Sequence, residues 1–86
     1  GDTPLLLAVQ WGNDAVVEIL VARGADVNLT TNFRYSPLHH AARQGRVSTV
    51  HLLLDRGADV HARTTFGETS ADFASARGQE QVAALL

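Results

Sequence analysis

Four histidines, His39, His40, His51 and His61, are the side chains best able to do chemistry in this 86-residue chain. Neighbouring residues on a helix point about 100° apart, so the adjacent pair His39 and His40 does not readily close on one ion. His51 and Asp55 stand four apart, a spacing that suits a weak surface pair on a helix. His61 falls in a polar stretch. There is no cysteine, so neither a thiolate zinc site nor a disulfide can form. No serine or threonine stands beside a histidine at a spacing that would make a nucleophile and its base, and Gly12, Gly45 and Gly78 are too dispersed to cradle a phosphate. The expectation is a chain with no catalytic residue, no metal and no cofactor, whose work is binding.

Composition narrows what is bound. Apolar residues are 45% of the chain and charged residues 19%, the balance of a folded domain. The net charge of −2 argues against a nucleic-acid partner, because neutralising phosphates needs a basic excess. Apolar runs such as Leu5 to Val9 fall far short of the ~20 residues a bilayer requires, so no membrane association is expected. All seven basic residues are arginine, which leaves no lysine as a modification acceptor.

The dispersed glycines lead to the organisation. Shifted on itself by 33 residues, the chain is identical at 13 of 33 positions in the first full comparison. Pro4 falls on Pro37, Ala8 on Ala41 and Ala74, Gly12 on Gly45 and Gly78, and Leu20 on Leu53 and Leu86. Arg23-Gly24-Ala25-Asp26-Val27 falls on Arg56-Gly57-Ala58-Asp59-Val60. Such a period predicts repeated supersecondary units that stack. Each unit reads as two short helices. Thr3 and Ser36 stand as N-caps before Pro4 and Pro37, where the missing N–H costs nothing, and Thr69 with Asp72 forms a partial capping box. Gly12, Gly45 and Gly78 divide the two helices of each unit. Second helices carry Val16, Val17, Ile19 and Leu20, then Val47, Val50, Leu53 and Leu54, at spacings of three and four, so one face is apolar. Helices this short are marginal alone, and stacking is what buries them. The polar stretches 25–35 and 58–68 are expected to project as paired loops.

A 33-residue unit with Thr-Pro-Leu, Ala, Gly, Leu-Leu and Gly-Ala-Asp-Val resembles the ankyrin repeat. Ser36-Pro37-Leu38-His39-His40-Ala41-Ala42 and Gly57-Ala58-Asp59-Val60 carry the resemblance. It implies an all-α solenoid of ankyrin type with β-hairpin-like loops: one domain over 1–86, with repeats at 1–30, 31–63 and a truncated third at 64–86. It implies that His39 hydrogen-bonds between neighbouring units. Arg34 stands where the motif has a turn glycine that Gly67 keeps, so that hairpin is expected to turn differently. Thr31 and Thr64 stand in place of a frequent aspartate, and Ser70 replaces the proline of the third repeat.

The resemblance also implies where a protein partner sits: at loop tips and on the inward face of each first helix. On this chain those positions are Asn32, Phe33, Tyr35, Thr65, Phe66 and Glu68 at the tips, and Gln10, Trp11, Arg43, Gln44, Ala76 and Arg77 along the groove. Aromatic residues and arginines dominate interface energetics. Phe33 and Phe66 recur at the repeat period, so packing on each other across adjacent hairpins is the alternative role for that pair. Arg34, Arg43, Arg63 and Arg77 gather on the loop and groove side, and Asp14, Glu18, Asp55 and Glu80 on the outer side. A partner segment with carboxylates or phosphates is therefore expected. Leu20 and Asp26-Val27-Asn28 resemble the pattern read by the asparaginyl hydroxylase that acts on ankyrin repeats, which makes Asn28 a candidate for hydroxylation; the alternative is a side chain that hydrogen-bonds its own loop.

Neither end reads as a polar cap. The sequence thus predicts a segment of a longer array, whose further repeats cover Leu7, Leu85 and Leu86, with end-to-end self-association when those ends are bare. The expected role is an intracellular protein-interaction module, cytoplasmic or nuclear. The alternatives are a structural spacer with no partner of its own, and the substrate-recognition part of a ubiquitin-ligase adaptor.

Overall fold

The structure is a computed structural model and describes residues 3–86. Gly1 and Asp2, which open the first repeat as delimited from the sequence, lie outside the described residues. Six helices follow in pairs: α1 (Pro4–Trp11) with α2 (Asp14–Ala22), α3 (Pro37–Gln44) with α4 (Val47–Asp55), and α5 (Ser70–Ala76) with α6 (Glu80–Leu85). No strand occurs among the described residues. The first helices form one layer, α1 on α3 on α5, and the second helices form another, α2 on α4 on α6. Among the described residues no helix is long and apolar enough to cross a membrane.

The local signals act as the sequence predicts. Thr3, Ser36 and Thr69 cap α1, α3 and α5 with nearly the same extended backbone, φ −94, −91 and −92°. Each hydroxyl accepts the N–H three residues on and so satisfies one of the four orphan donors of a helix start. Gly12 and Gly45 close α1 and α3 at φ 71 and 72°, where only glycine is unstrained. Their missing side chains also leave room for neighbours. The Arg46 guanidinium lies over Gly12, and the Gln79 amide lies over Gly45. Arg46 and Gln79 precede α4 and α6 yet make no capping bond; they reach back to the preceding pair instead.

Burial follows the repeat. Leu5, Val9 and Val17 of the first pair meet Leu38, Ala41, Ala42, Val50 and Leu53 of the second and Ala74 and Val82 of the third in one core. Each wholly buried Leu or Val contributes roughly 1.5–3 kcal/mol. Because the core is shared between pairs, no pair can keep it alone.

The hairpin between the first two pairs corrects one expectation. Arg34 does not turn the chain differently from glycine; it takes the same left-handed backbone, φ 62° against 79° at Gly67. The Arg34 N–H donates to the Thr31 carbonyl at 2.9 Å, as the Gly67 N–H does to Thr64. Thr31 N–H to Tyr35 O at 3.0 Å likewise matches Thr64 N–H to Glu68 O at 2.9 Å. The hydrogen bonds within the hairpin dictate the turn, and the side chain at its tip submits to them. Thr64 moreover takes the role of an aspartate: its buried hydroxyl accepts the N–H groups of Phe66 and Glu68 at 3.2 and 3.3 Å.

Candidate functional site

His39 holds units together. Its ring is wholly buried. Nδ1 accepts the Ser36 N–H at 3.1 Å, and Nε2–H donates to the Glu68 carbonyl of the next hairpin at 3.0 Å. Loss of hydration favours the neutral ring, so its pKa lies below the ordinary histidine value, a shift partly offset by the Glu68 carbonyl. Both nitrogens are spoken for, which leaves none for a ligand. Among the described residues no three His, Asp or Glu side chains lie close enough to hold a metal ion.

Asn28 is a second connector. Its amide donates to the Gly57 carbonyl at 3.1 Å, and its side-chain oxygen accepts the Asp59 N–H at 2.8 Å. The side chain thus binds the loop of the following unit. It does not bond its own loop, which is turned by Asp26 as the following one is by Asp59; each carboxylate accepts the N–H two residues on. Asp14 does similar work between α2 and α4, accepting the Ser48 hydroxyl at 2.6 Å and the Thr49 hydroxyl. One acid of the outer face is therefore engaged within the fold.

At the hairpin tips the structure joins the recurring phenylalanines. The rings of Phe33 and Phe66 stack with centroids 6.0 Å apart and planes 24° from parallel. The Thr65 N–H donates to the Phe33 carbonyl at 2.9 Å, so backbone and rings together tie one tip to the next. Yet Phe33 is 57% exposed and Phe66 69%. Stacking each other does not hide them: the packing role read from the sequence holds, and both rings still face solvent. Asn32 and Thr65 flank them in solvent. Arg63 donates to the Gly67 carbonyl at 2.9 Å and braces its own hairpin.

Tyr35 is half-buried and leads from the tips into the groove. Its ring meets Phe73 edge-on at 5.4 Å and lies 5.8 Å from His40. Phe73 also meets His39 at 5.2 Å. A recess of about 270 Å³ opens here, lined by Tyr35, Arg43, Glu68, Phe73, Ala76 and Arg77. Five of these, Tyr35, Arg43, Glu68, Ala76 and Arg77, were expected at the partner surface from the sequence. Phe73 was not, although it stands three and four residues before Ala76 and Arg77 and so shares their helix face. Helical spacing from those two positions was the signal available.

The remaining groove residues separate from this recess. The Gln44 amide donates to the Gln10 carbonyl at 3.1 Å, and its oxygen accepts the Arg46 Nε–H at 3.2 Å, so Gln44 serves the joint between units. Trp11 holds the position equivalent to Gln44 in the first pair. It is 81% exposed and lines an apolar hollow with Pro4, Leu7, Ala8, Val16 and Leu20 on the outer end of that pair. The structure thus divides the expected surface into a tip-and-recess region and a separate end face.

The profile of the family described as ankyrin repeats (3 copies) matches residues 5–86. The chain belongs to the ankyrin repeat family. Ankyrin repeats are generally protein–protein interaction modules and are typically non-enzymatic. No curated protein matches the chain closely enough to count as a relative.

Proposed function

We propose that this chain is a protein-interaction module that captures an acidic segment of a partner protein along its hairpin tips and inner groove, without catalysis or cofactor. The supporting observation is the exposed Phe33–Phe66 stack, which leads through Tyr35 to Arg43 and Arg77. Neither guanidinium has an ionic partner among the described residues. Two aromatic faces left in water and two unpaired arginines on one surface suit a polypeptide carrying apolar and carboxylate side chains. The surface is held by bonds between hairpins and helices, so little ordering entropy is lost on binding.

Binding of pooled acidic and basic peptides, measured at two salt concentrations, tests this. The acidic pool should bind more tightly and weaken with salt, because exposed charges are screened beyond about 10 Å at 0.1 M. Arg43→Glu should mainly slow association. Equal binding of the two pools with no salt dependence would remove the reading. We further propose 1–86 as one domain with repeats at 1–30, 31–63 and 64–86, and Asn28 as a residue for asparaginyl hydroxylation. An enzyme would reach the Asn28 amide only after the bonds to Gly57 and Asp59 open. A native peptide from a eukaryotic host that shows no added oxygen at Asn28 would retire that assignment.

A further inference from the structure

The recess between the second and third pairs lies where the groove side of the third pair's first helix carries a short side chain. The position on the groove side of each first helix is Gln10 in α1, Arg43 in α3 and Ala76 in α5. The short Ala76 side chain leaves a hollow where the other pairs project a long one. Phe73 and Tyr35 supply aromatic walls whose edges meet at 5.4 Å. Arg43 and Arg77 stand at the rim, both exposed. Glu68 is the one acid lining the recess, and its carboxylate accepts the Thr64 hydroxyl at 3.3 Å on its own hairpin.

We propose that this recess is the anchor subsite of the module, and that it takes an aromatic or large aliphatic side chain immediately beside a carboxylate in the partner segment. The inference rests on the reading of the groove as a surface for an acidic partner and states which two adjacent residues it selects. Shape and charge point to the same pair. Aromatic walls reward an apolar side chain that excludes water, since such pockets carry most of an interface's energy. Two arginines against one glutamate leave a single positive charge at the rim. One carboxylate neutralises it and can be gripped by a guanidinium fork. A phosphate, with a charge of about −1.5 to −2, overshoots it and is pushed against Glu68.

The test uses the 86-residue chain and four short peptides with blocked termini. The first carries phenylalanine next to aspartate. The second has alanine for the phenylalanine, the third asparagine for the aspartate, and the fourth phosphoserine for the aspartate. Affinities are read by fluorescence polarisation against the parent chain, Ala76→Gln and Arg43→Gln/Arg77→Gln. Ala76→Gln fills the hollow with the residue of the first pair at an exposed helix position and keeps every charge. The first peptide should bind the parent about tenfold more tightly than each of the others, one anchor contact in affinity terms. Ala76→Gln should abolish its advantage over the alanine peptide and leave the alanine peptide unchanged. The double arginine variant should abolish its advantage over the asparagine peptide. If the alanine and phenylalanine peptides bind equally well and with salt dependence, the anchor is wrong while the acidic-partner reading stands. Tighter binding of the phosphoserine peptide also overturns the anchor as a carboxylate site. If none of the peptides binds, the reading and the anchor fall together.

Discussion

Replacing Arg34 with glycine should stabilise this protein, although an arginine side chain is removed. Arg34 is the one non-glycine residue in the left-handed region among the described residues, at φ 62°. That conformation costs a side-chain-bearing residue about 1–2 kcal/mol. Its guanidinium makes no bond among the described residues, so shortening the side chain loses little. Glycine returns part of the gain, about 0.5–1 kcal/mol, through the larger freedom of the unfolded chain. The net expectation for Arg34→Gly is a gain of about 0.5–1 kcal/mol, or roughly 2–8 °C in Tm for a domain of this size. Urea titration followed by circular dichroism should show a higher midpoint at an unchanged slope. Arg34→Ala separates backbone from charge: it keeps the strained conformation and removes the arginine, and should leave stability within about 0.5 kcal/mol of the parent. The mirror change Gly67→Ala, at φ 79° with open space around a Cβ, should cost about 1 kcal/mol. If Arg34→Gly and Arg34→Ala raise the midpoint equally, crowding of positive charge is the cause and the backbone argument fails.

Three further outcomes follow from buried or bridging groups. Ser70 is wholly buried and its hydroxyl has no partner among the described residues, so Ser70→Ala should raise stability by about 1 kcal/mol in the same urea assay; a loss would mean that the hydroxyl is satisfied in solution. Asn28→Ala removes both bonds to the following loop and should lower stability by about 1–2 kcal/mol, while the same change at His61, its equivalent one unit later, should do little. Acid should weaken the fold in two stages. The folded pKa of His39 is depressed, so its contribution is complete above about pH 6.5 and is lost as pH falls toward the folded value, where the unfolded chain alone takes up the proton. Asp72 is held below the usual carboxylate range by the Thr69 N–H, and its contribution begins to fall only below about pH 4. Urea midpoints that stay level from pH 7.5 to 5.5 would contradict the buried neutral His39; His39→Gln should flatten that upper stage and keep the lower one.

What the sequence determined is what repeats or acts locally. The 33-residue period, the caps at Thr3, Ser36 and Thr69, and the dividing glycines all depend on neighbours within a few residues, so residue type and spacing reveal them. The candidate surface was legible to the same depth, because Phe33, Tyr35, Arg43, Phe66, Glu68 and Arg77 are identified by their place in a unit. Tertiary structure decided everything that one unit imposes on the next. Arg34 was expected to turn its hairpin differently, but the hydrogen bonds of that hairpin hold it in a glycine's conformation. Asn28 reaches Gly57 and Asp59 across a separation that no local pattern encodes. Phe73 became a wall of the recess, and Gln44 and Trp11, equivalent by register, ended in different surroundings. One bonds the Gln10 carbonyl of the preceding pair, and the other stands exposed beside Leu7 and Val16. The side chains of a stacked array are placed by contacts between residues about thirty positions apart, and periodicity reports that the units stack without saying which atoms meet.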